Sequence, residues 1–318
     1  MTTPATERKA SKNYSTDVVV SPAQAESIRQ SLYRTDDSAT GRILPDFTDR
    51  LSDADLQCFR ERGYLAMNGM LNAQEIEDCK AALTDLAHKR TAWDKRVWAQ
   101  EEPYYIQGGE APVADDPELR LRKLAFFVQL EPRLARIATH PRLRAIVDQL
   151  IGPDSRMIQD MALLKPPFKG SEKPWHQDAA YFDWTPLGGV VGTWIALDAA
   201  TVENGCMQVI PGSQLQGPAP HFHVRDCQLA DQRVQVGQAV AIPLQPGGIL
   251  FFSGLLHHGT PPNMTAARRR ALQFHYAAAE CRKMTIDQHG ELFSEGGVYA
   301  GCRDWDLAEG TSRAVLTP

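Results

Sequence analysis

Apolar positions in the first half of the chain recur at helical spacing; in the second half they fall in short runs broken by Gly, Pro and Asn. Apolar residues three and four apart line one face of a helix, and short apolar runs between turn residues read as buried strands. Ser21-Pro22 opens a short helix over 22–33. Ser52 caps a second helix, with Leu56 and Phe59 inward and Gly63 at its end. Tyr64–Met67 reads as a strand, and Asn72 caps a helix carrying Ile76, Cys79, Leu83 and Leu86 on one face. Further helices fit 129–139 and 141–151, the second closed by Gly152-Pro153. Apolar runs then follow at 157–165, 190–200, 206–210, 239–243, 248–252 and 270–279, with Asn204-Gly205 as a tight-turn signal between two of them.

Regular short strands with turn punctuation indicate a sandwich or barrel, so the pattern predicts a mainly β fold with flanking helices. The expected organisation is an N-terminal arm over 1–50, partly mobile, and a single domain over 51–318. Within that domain, helices occupy 51–152, the β core 157–280 and a C-terminal tail 281–318. The segment 95–118 has no clear periodicity and carries Tyr104-Tyr105 and Gly108-Gly109. Long loops of this kind are commonly lids or binding loops, which makes Tyr104 and Tyr105 candidate substrate contacts.

Composition narrows the function classes. A net charge of −5 without a basic patch argues against nucleic acid as a partner, and no apolar run approaches the length of a membrane span. Six dispersed cysteines without a CxxC pair read as free thiols in a reducing compartment. The polar N-terminus lacks the apolar stretch of a signal peptide. The expectation is a soluble, cytoplasmic protein acting on a small molecule.

The chemistry concentrates in Pro174-Trp175-His176-Gln177-Asp178. Residues two apart on a strand share a face, so His176 and Asp178 can address one point. With a second histidine they make a 2-His-1-carboxylate set, which binds Fe(II) and leaves coordination positions open. The run 246–276 supplies His257-His258 after an apolar strand, then the arginines 268–270. An arginine on that next strand can pair bidentately with a carboxylate in the same pocket, as an iron-chelating 2-oxo acid requires. Gln273 and His275 share strand parity with one of these arginines, Arg269, and are candidate lining residues. His221 and His223, in HFH, are expected in a loop near the pocket mouth.

Four blocks in order give the chain a resemblance to the phytanoyl-CoA dioxygenase family of Fe(II)/2-oxoglutarate oxygenases. They are LSDADLQCFRERGYLAMNGMLNAQEIEDC, LLKPPFKGSEKPWHQD, GTWIALDAATVENGCMQVIPGSQ and HHGTPPN…RRRALQFHY, spanning roughly Leu51 to Tyr276. The resemblance implies a double-stranded β-helix (jelly-roll, cupin-like) core with Fe(II), 2-oxoglutarate and O2 at its mouth. It implies His176, Asp178 and His258 as metal ligands, His258 being the histidine directly before Gly259-Thr260. Arg269, eleven residues after it, matches the co-substrate arginine, and Arg268 and Arg270 are left as solvated charge. Thr260, Trp194, Met161 and Lys123 match further co-substrate positions.

The implied reaction couples decarboxylation of 2-oxoglutarate to oxidation of a C–H bond, with succinate and CO2 released. Asp178 fills the position that halogenating relatives leave small, which favours hydroxylation. A zinc-dependent hydrolase using the same triad, or a non-catalytic jelly-roll binding protein, would leave Arg269 and Thr260 without a purpose.

Overall fold

The computed structural model describes residues 21–89, 97–101, 116–168 and 170–295. Its N-terminal half runs α1 (Pro22–Leu32), β1 (Ile43–Leu44), α2 (Asp53–Arg62), β2 (Tyr64–Met67), α3 (Ala73–Ala87), β3 (Trp98–Glu101), β4 (Leu121–Ala125), α4 (Pro132–Ala138) and α5 (Pro141–Ile151). Then come β5 (Arg156–Lys165), β6 (Lys173–His176), β7 (Trp184–Thr185), β8 (Val190–Ala196), β9 (Met207–Val209), β10 (His221–His223) and β11 (Cys227–Leu229). The last elements are β12 (Val240–Ile242), β13 (Ile249–Ser253), β14 (His258–Thr260), β15 (Arg269–Ala277), β16 (Arg282–Lys283) and α6 (Ile286–Phe293).

The helices start and stop for the reasons the sequence offers. Ser21, Ser52 and Asn72 each close a reciprocal capping box with the residue three positions on. Gly63 ends α2 in the left-handed conformation, φ 79°, which a residue with a Cβ adopts only with strain. Ile76, Cys79, Leu83 and Leu86 of α3 are all buried.

The strands form a large sheet in the order β1-β2-β13-β8-β15-β5-β4-β3 and a smaller one in the order β12-β9-β14-β6. Every pairing in both is antiparallel except β1 with β2. One face of the large sheet (Met67, Ile195, Phe251, Leu272, Phe274) packs on α3, α4 and α5. Its other face (Ala66, Trp194, Leu250, Phe252, Ala271) packs on Met207, Val209, Ala241 and Ile242 of the small sheet. The result is a mixed α/β fold with a large, mostly antiparallel sheet flanked by helices. Among the described residues no ladder joins the two sheets into a closed barrel.

Several expectations change here. Asn204-Gly205 does turn the chain, with Gly205 at φ 87°, but it carries β8 of one sheet into β9 of the other and makes no hairpin. Within the segment read as an N-terminal arm, Leu32, Tyr33 and Arg34 are fastened to the sheets. Trp175 Nε1 donates to the Leu32 carbonyl (2.7 Å), Tyr33 stacks on Trp175 (5.7 Å between centroids), and Gln208 bonds the Arg34 backbone twice. Cys227 is disulfide-bonded, against the expectation of free thiols throughout, while Cys58, Cys79, Cys206 and Cys281 are free. No helix among the described residues is long and apolar enough to cross a membrane.

Candidate metal centre

His176 ends β6, Asp178 opens the 3-10 turn Asp178–Tyr181, and His258 opens β14. His258 is the ladder partner of His176 across β14 and β6. A register irregularity between His258 and Thr260 falls beside them; such bulges re-aim side chains next to functional sites. All three residues are buried, and one ligand atom from each lies within 4.8 Å of the others. Among the described residues this is the one group of that kind.

The donor set fits a metal ion on its own chemistry. His176 Nδ1 faces the Pro174 carbonyl at 2.8 Å, and His258 Nδ1 faces the Leu256 carbonyl at 2.9 Å. A carbonyl only accepts, so each proton sits on Nδ1 and each Nε2 lone pair is free. Both Nε2 atoms then face the Asp178 carboxylate, at 3.1 and 3.5 Å. Lone pairs converging without a donor between them call for a cation. Burial, then the neighbouring His258 and Lys173, push His176 down to about 3, so it is neutral and ready to ligate at ordinary pH.

The supporting contacts place both candidate lining residues beside the triad. His275 and Gln273, expected to line a substrate site, are both drawn to Asp178 Oδ2, at 2.7 and 3.4 Å. His275 is fully buried and positions the carboxylate; Gln273 also lines the cavity. His221 is buried on β10 and is not among the residues that line the cavity. Its Nε2 accepts the Gln177 backbone N–H at 2.9 Å and its Nδ1 donates to the Ala219 carbonyl. The Gln177 side chain bonds Gly217, Ala219 and Leu255, so the residue between the two ligands is tied on every polar atom. His223 lies on β10. Tyr104 and Tyr105 fall outside the described residues. His257 is not one of the clustered ligands, and among the described residues its Nε2 has no hydrogen-bond partner.

The cavity in front of the triad is lined by Arg269, Thr260, Met161, Lys123, Gln273 and others. Arg269 is buried, neither its Nε nor its Nη1 is hydrogen-bonded among the described residues, and burial pushes its guanidinium down to about 10. Trp194 lies under it, the guanidinium carbon 5.2 Å from the ring centroid. The tryptophan therefore supports the arginine from the core instead of lining the cavity. Arg268 and Arg270 are not solvated charges. Arg270 pairs with Asp198 (2.8 Å) and Glu118, and Arg268 with Asp116 and Glu118.

Residues no motif announced also face this cavity. Lys173, Arg122 and Tyr181 line it. Behind them Asp226 takes Lys173 at 2.8 Å and Arg122 at 3.2 Å, with Lys123 at 3.9 Å.

The phytanoyl-CoA dioxygenase (PhyH) family model matches residues 59–271, well over half of the chain. The chain belongs to that family. It is 29% identical over 267 residues to phytanoyl-CoA dioxygenase domain-containing protein 1 of Danio rerio, covering 73% of this chain and 92% of that one. It is 30% identical over 174 residues to the human phytanoyl-CoA dioxygenase, peroxisomal, half of each chain. Among solved structures, EvdO2 from Micromonospora carbonacea aligns at TM-score 0.60 and 25% identity, covering 82% of this chain and all of that one. The non-haem alpha ketoglutarate dependent carbocyclase SnoK, at 22% identity and TM-score 0.57, shares the fold; the match covers 79% of this chain and 94% of that one. The cytoplasmic expectation is corrected by these findings, since family members of rat, human and cattle are named as peroxisomal.

Proposed function

We propose that this PhyH-family protein is a non-haem Fe(II)- and 2-oxoglutarate-dependent oxygenase that oxidises a C–H bond of a small metabolite, releasing succinate and CO2. The observation that carries the reading is one cavity holding both a buried His-Asp-His cluster and a buried arginine with unpartnered N–H groups. A metal and a carboxylate are the two ligands those groups lack.

In this reading His176, Asp178 and His258 hold Fe(II), and the packed sheets serve as the family's double-stranded β-helix core. The metal with its co-substrate supplies the oxidant. The chain's own residues do the rest. Arg269 receives the far carboxylate of 2-oxoglutarate, Trp194 keeps the guanidinium from turning, and Thr260 adds a hydroxyl to the same carboxylate. Met161 closes the wall beside Gln273, its ladder partner. His275 donates to the Asp178 oxygen and fixes which carboxylate edge meets the metal. Because Asp178 occupies its position with a carboxylate, oxidation of carbon by transfer of oxygen is expected over halide transfer.

The test is oxygen uptake with Fe(II) and 2-oxoglutarate over a metabolite panel, read by mass spectrometry. A product 16 mass units heavier or 2 lighter, with succinate in proportion, is expected. Turnover that persists with zinc and without 2-oxoglutarate would make the protein a hydrolase.

A further inference from the structure

The oxygenase reading leaves one end of the cavity without a task. The cavity face of β5 carries, in order, Lys165, Leu163, Met161 and Gln159. In the ladder between β5 and β15 these lie opposite Arg269, Ala271, Gln273 and His275. Six residues of strand, about 20 Å, separate the two ends of that face. The triad meets it at the level of Gln273 and His275, both drawn to Asp178 Oδ2. A co-substrate reaching from the metal to Arg269 therefore covers the stretch from Lys165 to Met161, and Gln159 stands beyond it.

Two carboxamides are open at that end. The Gln159 side chain lines the cavity and makes no hydrogen bond among the described residues. Gln273 turns its Nε2 to Asp178 at 3.4 Å, and its Oε1 has no partner among the described residues although the side chain is buried. The two glutamines are diagonal neighbours on one face of the ladder, within mutual reach of long side chains. Phe182 closes the wall beside them, buried, with its ring centroid 4.8 Å from that of His275. Their polar neighbours are already engaged. Tyr181 Oη takes the Lys173 ammonium at 2.6 Å and donates to the Cys227 carbonyl at 3.0 Å, and Lys173 also pairs with Asp226.

Resting on the oxygenase reading, we propose that Gln159 and Gln273 recognise a hydroxyl group of the primary substrate. Its O–H donates to Gln273 Oε1, and its oxygen accepts from the Gln159 amide N–H. Gln273 has its Nε2 committed to a carboxylate, so it can offer only an acceptor. A carboxylate, ether or ketone has no proton to give it, and the lysines and arginines of the same cavity oppose an ammonium. Beside the Phe182 ring the bonds form away from bulk water, and a substrate lacking the donor leaves a buried acceptor unpaired. The hydroxyl is held at the level of Asp178, with the oxidised carbon within a few bonds of it.

The experiment is calorimetric titration of the Fe(II)-loaded protein, anaerobic and saturated with 2-oxoglutarate. The probes are benzyl alcohol and phenethyl alcohol, each against its methyl ether, which keeps the acceptor and loses the donor. The expected result is that an alcohol binds at least about tenfold more tightly than its ether. Gln273→Met should bring the two to within about twofold of each other. Gln159→Met should cost the alcohol about tenfold and leave the 2-oxoglutarate affinity within about twofold. Gln159→Met removes no hydrogen bond of the free protein, so it tests the idea even if Gln273→Met fails to fold or to hold metal. The proposal is overturned if neither alcohol outbinds its ether, if Gln159→Met leaves the alcohol unchanged, or if it weakens 2-oxoglutarate as much as the alcohol. Failure of the oxygenase reading shows separately, as no binding of 2-oxoglutarate to metal-loaded wild type. The probe pairs are then titrated with Fe(II) alone, and Gln159→Met decides.

Discussion

The two ends of the cavity are built on opposite plans. At the triad every polar atom turned away from the centre has a partner: both Nδ1 atoms are on carbonyls and Asp178 Oδ2 is on His275. At Arg269 the reverse holds, with two buried N–H positions unbonded and an aromatic ring as the support. The first end is assembled before its ligand arrives, which keeps the reorganisation on metal binding small. The second stays incomplete until an anion supplies the acceptors, at a standing cost to the free protein. An enzyme that must retain its metal and exchange its co-substrate every turnover needs that asymmetry.

The comparison breaks most sharply at the triad. His176→Ala, Asp178→Ala and His258→Ala are expected to abolish turnover and iron retention, while His257→Ala keeps both; metal analysis and turnover of the four proteins decide. A dead His257→Ala beside an active His258→Ala would place the ligand at the wrong histidine.

Arg269→Met should weaken 2-oxoglutarate tens-fold or more, since truncating one partner of a buried charged pair costs about 2–5 kcal/mol. The same variant should be more stable than wild type without ligands, by about 1–3 kcal/mol, because it removes unsatisfied buried donors. Denaturant unfolding checks the sign, and a loss of stability would mean that Arg269 has structural partners. His275→Leu should lower metal affinity about tenfold through loss of the bond that orients Asp178. Metal-binding titration reads this, and wild-type affinity would reduce His275 to a core residue. The smallest effect on 2-oxoglutarate is expected of Arg270→Ala, which should leave that affinity nearly unchanged while costing about 3 kcal/mol of stability through its largely buried pairs with Asp198 and Glu118. Equal co-substrate losses at Arg268, Arg269 and Arg270 would turn the contrast into a diffuse electrostatic field.

The triad was legible in the sequence, though partly for a reason the structure revises. Strand parity was the argument for His176 and Asp178, yet β6 ends at His176 and Asp178 starts a 3-10 turn. They converge because the Gln177 side chain and His221 hold the bend between them. That brace is long-range, from residues some forty positions on, and no local pattern announces it. Helix boundaries set by caps and glycines were readable, as Ser52 with Gly63 and Asn72 show, because those signals are local. The cationic wall was not. Lys173 and Asp226 lie on separate segments, and only the packing of β6 against the β10–β11 hairpin makes them neighbours. Arg270 likewise looked like surface charge until Asp198 and Glu118 were placed beside it.

The bond from Trp175 to the Leu32 carbonyl spans 143 positions of sequence. It ties the residue next to a metal ligand to a helix far upstream in the chain. Contacts of such separation carry a large loop-closure entropy and form late in folding. The segment around Leu32 and Tyr33 must therefore wait, without its partner, until β6 has emerged and the small sheet has formed. Metal-binding competence is expected to appear as one of the last folding events, after the helix-packed face of the large sheet. A protein shortened past Tyr33 should accordingly show its first defect in assembly of the metal centre, before any loss of helix.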